Sequence, residues 1–127
     1  DYYISSDLIR AIETTQIISN NSIIIKNNKL RERNYGELEG TSPKSVEEFW
    51  DVSNNVSKLC VEPIKDFLKR IFDELDDIIN KYKNCDNILI VTHYGVVMAI
   101  DAYFNNKFDY CFEKFDLENC EYRKYRI

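Results

Sequence analysis

Asn87-Ile88-Leu89-Ile90-Val91-Thr92-His93-Tyr94-Gly95 carries the strongest structural signal in the chain. Ile88 to Val91 is an unbroken apolar run, bounded by Asp86-Asn87 in front and Gly95 behind. Such a run fits a strand covered on both faces, as in a parallel sheet. Val96-Val97-Met98-Ala99-Ile100 follows and can continue as a helix to about Phe104. His93, the one histidine of the chain, is therefore expected where a central strand ends and a helix begins. In open α/β sheets ligands bind at the carboxyl ends of the strands. The free N–H groups of a helix start favour an anion there.

The elements upstream alternate in the same way. Tyr2 to Ile4 reads as the end of a short apolar strand, and Ser5-Ser6-Asp7 favours a helix cap and first turn. Leu8, Ala11, Ile12, Thr15 and Ile18 recur at helical spacing and predict a helix to about Ser19. Arg10 lies off most of that stripe. The ordinary fate of such an arginine is solvation; the alternative is that it faces the strand-end crevice and pairs with an anion. Ser22 to Lys26 predicts a second buried strand through Ile23-Ile24-Ile25, turned by Asn27-Asn28. Leu30 to Gly40 is charged and lacks either period, so it reads as a loop. It places Glu32 between Arg31 and Arg33, which would depress its pKa if the guanidinium groups were close.

Ser42-Pro43 opens a short helix, with capping-box spacing between Ser45 and Glu48 and with Phe49 and Trp50 as anchors. Val52 to Leu59 is ambiguous. From Pro63, the positions Ile64, Phe67, Leu68, Ile71, Phe72, Leu75, Ile78, Ile79 and Tyr82 form an amphipathic stripe. That predicts a helix covering a sheet. Phe108 to Phe115 has no clear period. Glu121 to Ile127 alternates, which favours a terminal edge strand. Together these elements give one domain over residues 1–127 with an α/β layer architecture, a three-layer sandwich around a mainly parallel sheet.

Composition narrows the function. The chain is 44% hydrophobic and 13% aromatic, which is globular. Its net charge of −5 disfavours a sequence-independent nucleic-acid binder. No apolar run approaches the roughly 18 residues of a membrane helix, and no secretory pattern is visible. No membrane partner and a cytoplasmic location are therefore expected. Cys60, Cys85, Cys111 and Cys120 are not at metal-ligand spacing, and one histidine does not complete a Cys/His zinc set. None has a neighbour pattern that would activate a thiolate. Three glycines leave no Gly-rich phosphate loop of the nucleotide-binding type.

Four ordered segments carry a resemblance. Ser5-Ser6-Asp7-Leu8-Ile9-Arg10-Ala11-Ile12-Glu13-Thr14 is similar to the Ser-Ser-x-Leu-x-Arg-Ala-x-x-Thr segment of the histidine phosphatase superfamily, which includes phosphoglycerate mutases. Leu30 to Gly40 resembles its Leu-x-Glu-x-x-x-Gly-x-x-x-Gly segment, and Val91-Thr92-His93-Tyr94-Gly95 its second histidine motif. Asn119-Cys120-Glu121 resembles its closing strand, and Glu62 with Arg70 fits its cover-helix pattern.

The resemblance implies phosphoryl transfer through a phosphohistidine, without metal or cofactor, on a small phosphorylated metabolite. It makes Arg10 a phosphate clamp, His93 the second histidine, and Glu32 the general acid and later base. Ser6, Tyr94 and Gly95 fall at the substrate. The family's nucleophile, a histidine in Arg-His-Gly after the first strand, has no counterpart here. That first strand, the nucleophile and the first helix are therefore expected upstream of Asp1, and this chain alone is expected to be inactive. With a sheet strand absent, it is also expected to be unstable or to associate on its own. Tyr94 stands where the family often has Gly, and Leu38 where an aromatic is common. The short stretch Thr41 to Leu59 favours a phosphatase over a mutase. Mutase-type phosphotransfer and an inactive phosphoester-binding domain stay open.

Overall fold

The computed structural model describes residues 1–20, 22–51, 59–105 and 116–127. Three parallel strands form its sheet: β1 (Tyr2–Ser6), β2 (Ile24–Asn27) and β3 (Ile88–Val91), in the order β2-β1-β3. Three α-helices surround it: α1 (Ile9–Ile18), α2 (Ile64–Tyr82) and α3 (Tyr94–Phe104). This is the α/β architecture with a parallel sheet that the alternation predicts.

The register follows from apolar residues facing one layer. Tyr3 pairs with Ile24 and Leu89, Ile4 with Ile25 and Ile90, and Ser5 with Lys26 and Val91. Ile4 joins a core cluster with Ile64, Phe67, Ile71, Leu75 and Ile78 of α2 and with Val96, Met98, Ala99 and Ile100 of α3. Each of these Val, Leu, Ile, Phe or Met side chains, fully buried, contributes roughly 1.5–3 kcal/mol. Helix α1 contacts all three strands, and its buried residues Ala11 and Thr15 lie outside that cluster. The sheet is thus layered between α1 and the α2–α3 pair. Pro63 precedes α2, where a missing N–H costs nothing. The predicted stripe is the face α2 buries, with Glu74 as an added inward polar residue.

Several boundaries differ from the sequence reading. Ser5 and Ser6 continue β1 instead of capping α1, because ladders to both neighbours hold Ser5 extended and pairing with Asn27 holds Ser6. Leu8 takes the cap position with no side-chain cap bond. Strand β2 begins at Ile24, leaving Ile23 90% exposed. Asn27 ends it and caps a 3₁₀ turn, Asn28–Leu30, by accepting from the Lys29 N–H at 3.0 Å. The helix after Ser42 is 3₁₀ over Pro43–Trp50.

The centre of the described sheet is β1, not β3. Ile88 to Val91 are only half-buried, because among the described residues β3 has a ladder partner on one side alone. The expectation of instability or association rests on this edge. Residues 121–127 make no ladder, so the predicted terminal strand is absent. Alternation marks a half-buried segment but cannot supply a partner strand; here Tyr125 stacks on Phe104 with ring centroids 4.5 Å apart, and its hydroxyl meets Asp101 Oδ1 at 3.1 Å. The segments 52–58 and 108–115, which the sequence left open, lie outside the described residues.

Candidate active site

Two strand ends and one loop build the site. Since Ser5 pairs with Val91, the chain leaves β1 and β3 at the same level. Ser6-Asp7 turns into α1, and Thr92-His93 turns into α3, with His93 as its extended N-cap residue. Thr92 ties this corner to the loop by donating from its hydroxyl to the Leu30 carbonyl at 2.7 Å.

Glu32 enters from that loop and meets the start of α3. Its Oε2 accepts the Gly95 N–H at 3.0 Å, and its Oε1 accepts the Arg33 N–H at 2.8 Å. The Gly95 amide is one of the free donors of a helix N-terminus, where a carboxylate is favoured. Gly95 is glycine for space: a Cβ there would lie 2.4 Å from Glu32 Oε1 and 2.7 Å from Trp50 Cη2. Burial is the largest influence on Glu32 and raises its pKa, against the two amides and the charges of Arg10 and Arg70, which lower it.

The depression expected from two flanking arginines does not occur, because both side chains are engaged elsewhere. Arg31 grips Asp7 through two bonds of 2.7 and 2.6 Å. Arg33 is 1% exposed and donates to the Glu62 and Phe49 carbonyls at 2.9 and 2.6 Å. Its guanidinium lies 5.0 Å from the centre of the Trp50 ring. A second brace is bidentate: Arg70 donates to both oxygens of Glu62 at 2.9 and 2.8 Å, and to the Lys29 and Arg31 carbonyls at 2.5 and 3.1 Å. A planar guanidinium suits that fork. Glu62 in turn accepts the Asn34 N–H at 3.2 Å. The loop that carries Glu32 is thus fixed to α2 and to the β1–α1 turn.

His93 is buried, and its Nε2 lies 2.8 Å from Ser6 Oγ. Burial first, then the charge of Arg10, pull its pKa down to about 4, with Asp7 opposing. The ring is therefore neutral near pH 7. Arg10 is exposed on α1, as the solvation reading has it, yet its charge acts on both Glu32 and His93, as the crevice reading requires. Its guanidinium makes no hydrogen bond or ion pair among the described residues. Arg10 thus lies within electrostatic reach of both Glu32 and His93.

Ser6 is also there but is wholly buried, with no surface for a substrate. Gly95 donates its amide to Glu32, and Tyr94, 46% exposed, flanks His93 at the first position of α3. Tyr35 is the neighbour that sequence reasoning missed: burial and then the charge of Glu32 push the pKa of its hydroxyl well above the ordinary tyrosine value. Its ring lies 6.4 Å from Trp50. No motif marks it beyond its place three residues after Glu32. Among the described residues no group of three or more His, Cys, Asp or Glu is placed to hold a metal, and no helix is long and apolar enough to cross a membrane.

Two expectations follow directly. Gly95→Ala is expected to leave α3 helical but to displace Glu32 or Trp50. A shift in the fluorescence of Trp50, the one tryptophan of the chain, beside an unchanged far-ultraviolet circular dichroism spectrum checks this. His93, depressed in the fold, contributes stability that is complete above its ordinary 6.5 and is lost as pH falls toward about 4. The melting temperature should therefore fall more steeply between those values in the wild type than in His93→Gln.

Comparison with known proteins gives the fold a context. No curated protein sequence matches the chain. Among solved structures, phosphoglycerate mutase from Bacillus anthracis is similar with a TM-score of 0.66 and 21% identity, covering 83% of this chain and 59% of that one. The alpha-ribazole phosphatase of Shigella flexneri gives 0.63 and 22%, covering 82% and 56%. The mycobacterial glucosyl-3-phosphoglycerate phosphatase, solved with inorganic phosphate, gives 0.62 and 18%, covering 81% and 57%. The chain thus spans little more than half the length of these proteins. The profile of the histidine phosphatase superfamily, branch 1, matches residues 1–127, and the chain belongs to that superfamily.

Proposed function

We propose that this chain supplies the general acid, the phosphate arginine and the second histidine of a phosphomonoesterase that works through a phosphohistidine. The observation that supports the reading is that the charge of Arg10 acts both on Glu32, whose pKa burial raises, and on His93, which burial holds neutral. The attacking imidazole would come from an Arg-His-Gly segment encoded before Asp1, on a strand suited to the open edge of β3. It bonds to phosphorus as the P–O bond to the leaving alcohol breaks. Glu32 gives its proton to that oxygen. Water then attacks the phosphohistidine, Glu32 takes a proton back, and inorganic phosphate leaves. Arg10 grips the phosphoryl oxygens and His93 donates to them. Tyr94 narrows the mouth.

The test is to read the coding sequence upstream of Asp1 and assay the full-length protein, in the presence of a chelator, on an aryl phosphate. An apolar strand followed by Arg-His-Gly and metal-independent hydrolysis are expected. Interconversion of phosphoglycerates with little hydrolysis would replace phosphatase by mutase. An upstream sequence without a histidine, and phosphate binding without turnover, would leave an inactive phosphoester-binding domain.

A further inference from the structure

We propose that Ser6 is a positioning residue that fixes the tautomer of His93, so that an uncharged imidazole presents Nδ1–H to the phosphoryl group; this rests on the phosphoryl-transfer reading above. Ser6 cannot serve the substrate itself, since none of its surface is accessible. Its Oγ accepts the Leu8 N–H at 3.4 Å and lies 2.8 Å from His93 Nε2. A hydroxyl has one proton to give; among the described residues no acceptor other than Nε2 lies within hydrogen-bond distance of this buried oxygen, so the proton goes to Nε2. An Nε2 that accepts is bare, so the single proton of the neutral ring sits on Nδ1.

Nδ1 is the nitrogen that Ser6 leaves unengaged. Among the described residues the one buried side-chain polar atom without a partner is Ser19 Oγ. Nδ1 has no partner among the described residues and is not such an atom, so it is open to solvent. The charges facing the ring are Arg10 from α1 and Asp7 from the β1–α1 turn. A protonated ring would repel Arg10, whereas a neutral N–H donor can share the phosphoryl oxygens with it. Burial keeps the ring in that neutral form.

The experiment is a long-range ¹H–¹⁵N spectrum of the full-length protein labelled at histidine, at pH 7, with His93 assigned by its loss in His93→Gln. The expected result is a proton on Nδ1 and a bare Nε2. A proton on Nε2, the form that free neutral histidine favours in water, would overturn the proposal. The wild-type spectrum decides this even if Ser6→Ala does not fold. Where it folds, Ser6→Ala should move His93 toward the Nε2–H form and lower kcat roughly tenfold, the effect of one charge-assisted hydrogen bond. Ser6→Thr, which keeps the hydroxyl, should retain the wild-type tautomer. Inorganic phosphate is the probe for the parent reading: if it leaves the His93 signals unmoved, that reading fails, whereas shifted signals with Nε2 protonated defeat only the role of Ser6.

Discussion

Replacing Glu32 with glutamine in the full-length protein is expected to lower kcat on an alkyl phosphate by roughly a hundred- to ten-thousand-fold, the usual worth of a positioned general acid. Two effects act together. The amide has no proton of carboxylic acidity to give the leaving oxygen. It also replaces one acceptor by an NH₂ group, although both oxygens of Glu32 receive backbone N–H bonds, from Arg33 and Gly95. One of those bonds must break, so the side chain also shifts. The diagnostic is the leaving group. An aryl oxide departs without full protonation, so the loss should be far smaller on an aryl phosphate. An equal loss on both substrates would assign Glu32 to holding the loop, not to proton transfer. The pH profile should agree: because burial raises the Glu32 pKa, the acid form persists above the ordinary carboxyl range. Activity should then fall as pH rises through that value, and this limb should vanish in Glu32→Gln.

His93→Ala is expected to cost roughly a hundred- to a thousandfold in kcat, as for loss of one preorganised donor to a developing charge. Here the leaving group should not matter, because His93 acts on the phosphoryl oxygens and not on the bond to the alcohol. The two variants thus separate by substrate. Similar losses on alkyl and aryl phosphates are the signature of His93, and unequal losses that of Glu32. Unchanged turnover in His93→Ala would remove the residue from the mechanism.

How much of this was legible beforehand depends on the kind of signal. The Ile88–Val91 run gives its strand bounds, since four apolar residues between a polar turn and a glycine have few other uses. The α2 stripe is equally plain. Ser5-Ser6 extends β1 although its residues favour a cap, because local propensity is weaker than strand pairing. The half-burial of β3 and the missing terminal strand share one cause: periodicity reports the face of an element, while burial depends on what lies beside it. In the site, Arg10, Glu32 and His93 were visible as residues, but the state of Glu32 was not. Its neighbours in sequence suggested a depressed pKa; burial raises it instead, and Arg31 and Arg33 are turned to Asp7 and to the Glu62 and Phe49 carbonyls. Likewise Ser6 looks like a substrate contact from its motif and is a buried partner of His93 in the fold.

The central claim is that Arg10, Glu32 and His93 enclose a phosphoryl group. Titration of the full-length protein and of Arg10→Ala with inorganic phosphate, followed at the ring resonances of His93, tests it most directly. The account predicts saturable shifts at His93 and affinity weakened by roughly tenfold or more in the variant, the value of a charge-assisted grip. Phosphate that binds equally well to both proteins, or that leaves His93 unmoved, would contradict it.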